Sequence, residues 1–458
     1  MKNYILAAAL LSGIIGASGC KKDDDSPATP ESVRAGGDAT IFSSGPDAFS
    51  FPMPNLDAAG VERHFLADVA FGQQFVSAPA VRYGGLGPVF NQNSCEGCHV
   101  RNGRGAIPQS ESDLTSGLLL RLSVPGTGPN GEIIPVPGFG GQLQTKAIFG
   151  VTPEGKLSKT AVEQIVSFLD GATVKLEKPV YAIADPYMPL PGNVLISPRT
   201  PPAVHGLGLI EAIPEANILA LADETDANGD GISGKPNRVW DVLGQKISLG
   251  RFGWKAEMPT GGQQAADAAH NDMGLTNYYF PEEHCSGQSN CVNGLQTTLD
   301  VDKETTDLFA FYFQTVAVPA QRNYDQPDVV RGKLLFEQLN CTGCHVPKHQ
   351  TGDHAIAALS HQTIFPYTDL LLHDMGEGLA DNRPTYAANG YEWRTPPLWG
   401  IGLTQVVNPK ATFLHDGRAK TLEEAVLWHG GEAETSKEGY RQLSQQDRNA
   451  LIAFLNSL

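Results

Sequence analysis

Three patterns of apolar residues run along this chain. The first is an apolar core over residues 5–17, preceded by Lys2 and ending in the small residues Ala17, Ser18 and Gly19. It is too short to span a bilayer as a helix, which takes about 20 residues, so it reads as an export signal over residues 1–19. The second is helical spacing. Val330, Leu334, Leu335 and Leu339 fall on one side of "DVVRGKLLFEQLN", and Leu451, Ile452, Leu455 and Leu458 fall on one side of the closing segment, behind a capping pair at Ser444 and Asp447. Leu422, Ala425, Val426 and His429 recur at i, i+3, i+4 and i+7. They follow a capping box at Thr421 and Glu424, and Gly430 and Gly431 mark the predicted end of that helix. The third pattern is the long stretches between, where Gly and Pro are frequent (50 and 32 residues) and predict extended loops instead of a pure bundle.

Composition adds class and compartment. At 458 residues, 41% hydrophobic and 18% charged, the chain is globular and long enough for two or three domains. A formal charge of −17 makes a nucleic-acid partner an expected absence, because phosphate binding needs a basic surface. The Ala-Ser-Gly before Cys20 resembles a bacterial lipoprotein cleavage box. That would lipidate Cys20 and hold the protein to a membrane, in the periplasm or at the cell surface, with residues 20–45 as a polar tether; plain secretion is the alternative.

Seven cysteines then sort by motif. "NSCEGCHV" and "LNCTGCHV" place Cys95, Cys98 and His99, and Cys341, Cys344 and His345, in two C-x-x-C-H signatures. This is the attachment motif of c-type haem, in which the thiols add to the vinyl groups and the histidine takes the proximal side of the iron. A zinc site drawing on both pairs would leave the fixed histidines unexplained, and a dithiol site would need only one pair. Cys285 and Cys291, in "CSGQSNC", remain as a small-loop disulfide or two free thiols.

The haem motifs sit in a repeated frame. "RTPPAVHGLGL" and "RTPPLWGIGL" are near copies, each downstream of one C-x-x-C-H, and a duplicated haem domain explains them. The expected fold is mainly α, with two cytochrome c-like domains, long loops and small β insertions in the first. The domains are placed at residues 46–322 and 323–458. His429 lies on the apolar stripe of its helix, so its imidazole either binds the second iron or is a core histidine bonded to a carbonyl.

At this point the sequence resembles a known group. "FLHDGRAKTLEEAVLWHGGEA", the two C-x-x-C-H motifs and the repeated "RTPP" are similar to the bacterial di-haem cytochrome c peroxidase superfamily, which includes the di-haem enzyme that matures methylamine dehydrogenase. In that superfamily the residue fourteen after the H-D-G histidine is the distal ligand of the C-terminal haem, as Met or Tyr. Counted from His415, that residue here is His429, which implies a bis-histidine iron. "GLGPVFNQNSCEGCH", "GRFGWKAE", "DMGLTN", "PYTDLLLHDMGEGLAD" and "EWRTPPLWGIGL" resemble more closely a di-haem oxidoreductase family labelled thiol oxidoreductase-like or peroxidase-like, over residues 45–458. The resemblance implies two haems and a peroxidase-like oxidoreductase served by a redox donor protein or a small oxidant.

The first half has no "HDG…H" cassette. Glu211, then His205, are the residues expected to handle protons at the first iron, against readings as a helix-start carboxylate and a loop or core histidine. Met273 is a further possible ligand or an ordinary core residue, and Trp254 is an inter-haem aromatic or simple packing. "DETDANGDGISG" places Asp226, Asn228 and Asp230, with the Ile232 carbonyl, where an EF-hand-like loop holds calcium, with Gly231 at position 6. Position 12 is Asn237 instead of Glu, and an Asx-rich turn without metal is the alternative.

Overall fold

The computed structural model describes residues 29–109, 113, 117–291 and 298–458; the expected signal segment, Cys20 and the expected tether up to residue 28 lie outside the described residues. Residues 1–31 and 32–458 form separate units, and the architecture below is that of the second.

Helices carry the two C-x-x-C-H motifs. In the first half, Asp57 caps the helix Ala58–Gly72 by accepting from the Gly60 N–H, and the helix buries His64, Ala67 and Phe71. It packs on the helix Lys303–Thr315, which in turn meets the helix Gly261–Met273. These three helices surround the short turn Cys95–Cys98. In the second half, the helix Pro327–Gln338 leads into the 3₁₀ turn Cys341–Gly343 and crosses the closing helix Gln445–Ser457. The crossing is close: a Cβ on Gly332 would stand 1.9 Å from the Ala450 carbonyl oxygen, so only glycine fits there.

The capping residues behave as the sequence predicts. Ser444 accepts from the Asp447 N–H and Thr421 from the Glu424 N–H. Two details differ. The buried stripe of the helix before the second motif is Val329, Gly332, Leu335 and Phe336, while Val330 and Leu334 are exposed, because the crossing helix docks about one residue round from the expected face. The helix after Thr421 runs only over Leu422–Leu427, so His429 lies just past it, in a tightened turn where its N–H bonds the Val426 carbonyl at 3.2 Å.

Strands are short and dispersed, apart from one long ribbon. Leu119–Thr127 pairs antiparallel with Leu195–Arg199, and Lys156–Ser167 pairs with Thr173–Ala184 in an antiparallel hairpin. The tip of that hairpin enters the core of the second half. The Phe168 ring centroid lies 6.3 Å from that of Tyr440, and Arg448 covers the Phe168 face at 3.9 Å. The Arg441 guanidinium donates to the Ser167 carbonyl at 2.7 Å, and Arg448 pairs with Asp170 at 2.8 Å. Leu176 is buried in the same cluster. Strand pairs also occur in the second half, at 349–350 with 363–364 and at 372–374 with 392–394. Cys285 and Cys291 form a disulfide. Among the described residues, no helix is long and apolar enough to cross a membrane.

Two candidate haem cavities sharing a wall

Each C-x-x-C-H motif opens on its own cavity. Ser94 caps the Cys95–Cys98 turn by accepting from the Gly97 N–H at 3.2 Å, and the His99 N–H closes on the Cys95 carbonyl at 2.9 Å. Local winding therefore presents Cys95, Cys98 and His99 to one space, a cavity of about 230 Å³. An ordered water needs about 10–15 Å³ of such space, so the cavity is built for something far larger. His99 Nδ1 lies 2.8 Å from the Pro202 carbonyl, to which it donates, and Nε2 is left as an acceptor. Burial lowers its pKa to about 4, which keeps the ring neutral and able to bind a metal. Pro202 belongs to the first "RTPP" copy, so the repeat orients the histidine of its own half.

The second cavity, of about 210 Å³, is lined by Cys341, Cys344, His345 and His429 together. His345 Nδ1 lies 3.0 Å from the Tyr367 carbonyl, and His429 Nδ1 lies 2.7 Å from the Ala425 carbonyl. Both rings thus leave Nε2 as an acceptor. Burial, and then the field of His429, lowers the His345 pKa to about 4; burial lowers that of His429. His429 reaches this cavity by way of a turn instead of a helix face.

The rival metal chemistries fit less well. The two C-x-x-C pairs line different cavities, so they do not make one four-ligand zinc site. Burial pushes the Cys95 and Cys341 thiols up to about 12, the opposite of what a reactive dithiol needs. The residues present fit haem: paired thiols beside a neutral histidine whose far nitrogen is held, in largely apolar cavities.

Six residues line both cavities: Arg104, Trp254, Arg394, Pro396, Pro397 and Ile401. Trp254 is buried in this common wall, donates Nε1–H to the Thr200 carbonyl at 2.8 Å, and lies under the Arg104 guanidinium at 5.1 Å. His415 stands edge-on to Trp254 at 6.5 Å and stacks on Trp393 at 3.7 Å.

The other expected residues divide. His205 lines the first cavity, stacked on Phe49 at 4.0 Å, with Nε2 at 3.1 Å from the Trp399 carbonyl. Its Nδ1 is buried without a partner, and burial lowers its pKa to about 4. Met273 lines the same cavity. Glu211 does not line it. One Glu211 oxygen accepts from the Gly261 N–H at 2.9 Å and the other from Gln314 at 2.6 Å, so the carboxylate serves the start of the helix Gly261–Met273.

In the 226–232 loop, the Asp226 carboxylate accepts from the Gly231 N–H, Asn228 from the Asp230 N–H and Asp230 from the Ile232 N–H. Its side chains are turned onto their own backbone, the Asx-turn arrangement. The loop's clearest tertiary role is to place Ile232 in the lining of the second cavity. Among the described residues, the group of side chains at metal-binding spacing is Glu283, His284 and Cys285, and Cys285 is already in the disulfide.

Several groups at the cavities carry no sequence signal. Arg121 meets Asp267 at 3.1 Å and Arg199 meets Glu257 at 3.2 Å on the wall of the first cavity. Burial raises Asp272 there to about 6. At the second cavity, His373 lies 2.7 Å from both Asp369 and Glu432 and 3.5 Å from the Cys344 sulfur. Burial opposes its charge, but the bonds to Asp369, Cys344 and Glu432 outweigh it and hold His373 protonated. Apart from Asp369, four residues from His373, the partners are distant in the chain, so a linear pattern does not reveal these pairs.

A fold with two cavities of this chemistry belongs to a two-haem redox protein. Residues 30–458 match the family model "Di-haem oxidoreductase, putative peroxidase", and the chain belongs to that family. No curated protein matches the chain. A solved structure of hydrazine synthase from Kuenenia stuttgartiensis, pressurised with xenon, aligns over 100% of both chains at 13% identity and a TM-score of 0.37.

Proposed function

We propose that this protein is an exported c-type di-haem oxidoreductase that reduces peroxide at the first cavity with electrons relayed through the second. The observation that carries this reading is the asymmetry of the cavities. The second offers two histidines with Nδ1 held by a carbonyl and Nε2 free, His345 and His429, whereas the first offers one of that kind, His99, and a histidine held the other way round, His205.

In this reading Cys95 and Cys98 hold one haem and Cys341 and Cys344 the other, by thioether bonds to the vinyl groups. A haem held in the first cavity would supply the redox chemistry for peroxide, and one in the second would store an electron. This chain's own residues do the rest. His99, fixed by the Pro202 carbonyl, supports the proximal side. His205 has a neutral, unpartnered Nδ1 that can accept a proton from incoming peroxide and return it to the departing oxygen. Glu211 acts at one remove, by anchoring the helix Gly261–Met273 that walls the cavity. The overall step balances as H2O2 plus two electrons and two protons giving two waters. Export and lipidation at Cys20 complete the proposal; incorporation of labelled fatty acid, lost in Cys20→Ala, checks the anchor.

Low-temperature EPR of the oxidised protein tests the reading. One high-spin and one low-spin haem, with turnover of peroxide, is the expected result. A second reading, electron transfer without catalysis, draws on the presence of buried Met273 at the first cavity, where it would cap that iron. Two low-spin haems without peroxide turnover would establish that alternative and overturn the first.

A further inference from the structure

The cations around the second cavity are unevenly paired. Of those lining it, Lys437 meets Glu434 at 2.7 Å and His373 is held between Asp369 and Glu432. Among the described residues, Arg104 and Arg394 have no carboxylate within ion-pair distance; Asp416 acts on Arg104, and Glu257 and Asp369 on Arg394, only from further away. Arg104 donates Nε to the Thr412 carbonyl and Nη2 to the Leu414 carbonyl and the Thr200 hydroxyl. Arg394 donates to the carbonyls of Gly253 and Thr395. Both are buried, at 7% and 9% exposure, and burial draws each pKa down to about 10. The repeat sharpens the contrast: Arg199, the counterpart of Arg394 in the first "RTPP", is matched by Glu257. A buried guanidinium bonded mainly to neutral oxygens is an expensive arrangement unless an anion completes it.

We propose that Arg104 and Arg394 would anchor the two propionates of a haem in the second cavity. The count fits, with two unmatched guanidiniums for two carboxylates. So does the chemistry of the macrocycle, whose propionates lie on the half opposite the vinyl groups that Cys341 and Cys344 would take. The arrangement also bears on Trp254. The Arg104 cation above that ring makes an electron harder to remove from it, and a propionate on Arg104 offsets that field. The inference rests on haem occupying the second cavity and not on peroxide turnover.

The test is resonance Raman of the propionate bending modes, together with spectroelectrochemical midpoints, on the di-haem protein and on Arg104→Gln, Arg394→Gln and Arg251→Gln. Arg251 lines only the first cavity and serves as the control. Expected are a displaced propionate band and a lower midpoint for the second haem in the first two variants, with that haem unchanged in the third. If a glutamine variant does not accumulate, Arg104→Lys and Arg394→Lys keep the charge but lose the fork, and should restore the midpoint while leaving the band displaced. Wild-type bands in both arginine positions, or an equal displacement from Arg251→Gln, would overturn the proposal. Haem stoichiometry is measured alongside, so failure to bind two haems is read separately from failure of this pairing, and peroxide turnover enters neither readout.

Discussion

His345 and His429 line one cavity with matching geometry, each giving Nδ1 to a backbone carbonyl, of Tyr367 at 3.0 Å and of Ala425 at 2.7 Å. Backbone carbonyls fix the tautomer of both rings, so the free nitrogen is the same atom in each. His429→Ala should convert one of the two haems from low spin to high spin, read by EPR and by the visible bands of the oxidised protein. An unchanged low-spin signal would return His429 to the core.

The helix crossing at Gly332 gives a stability prediction in which two effects compete. Alanine gains about 1 kcal/mol of helix propensity over glycine. Its Cβ, however, would stand 1.9 Å from the Ala450 oxygen and 2.6 Å from its carbonyl carbon, and backbone cannot swing aside as a side chain does. The clash wins. Gly332→Ala should be destabilising by about 1–3 kcal/mol in denaturant unfolding, with the second haem's spectrum the first to broaden. An equal or higher midpoint would show that the helices slide apart freely.

Glu154 is fully buried, accepts from the Gln144 N–H at 2.7 Å, and has its pKa pushed up to about 8 by burial. An unfolded glutamate titrates near about 4.3. Between those values the folded protein keeps a proton that the unfolded chain releases. The contribution is therefore complete below about pH 4.3 and is lost as pH rises to about 8. Glu154→Gln should be the more stable protein at pH 8, by on the order of 1 kcal/mol, and the difference should narrow towards pH 5. Parallel melting curves across that range would contradict the assignment.

Trp254→Phe keeps an aromatic ring in the common wall but removes the indole and its bond to the Thr200 carbonyl. Both haem spectra should survive, and transfer of an electron from the second haem to the first, followed by pulse radiolysis, should slow. Equal rates would mean that the path avoids this ring.

What could be read from the linear sequence followed from local rules. C-x-x-C-H is one turn of chain, so its cysteines and histidine reach one space by winding alone, and the capping pairs at Thr421 and Ser444 act within three residues. His429 was legible because its apolar neighbours share its period. The proton-handling residues were harder. Glu211 and His205 lie six residues apart, yet one caps a helix and the other faces a cavity, a choice made by Gln314 and Trp399 more than a hundred positions away in sequence. Arg394 was visible only as the head of the second "RTPP" and Arg104 not at all, because a missing counter-ion becomes visible only once burial is known. The stripe before Cys341 was misplaced for a related reason: Gly332 counts as neither apolar nor polar, yet it fixes where the crossing helix lies.

The hairpin Lys156–Ser167 with Thr173–Ala184 has a consequence for the order in which the molecule can be assembled. Its tip residues bond to Arg441, 274 positions later, and Phe168 fills a core that contains Phe454. A chain divided between residues 322 and 323 would leave that plug on the wrong fragment and an open socket on the other. Each half would then lack packing that the other supplies. The ribbon can seat only once residues near the end of the chain are present, a pairing of high sequence separation.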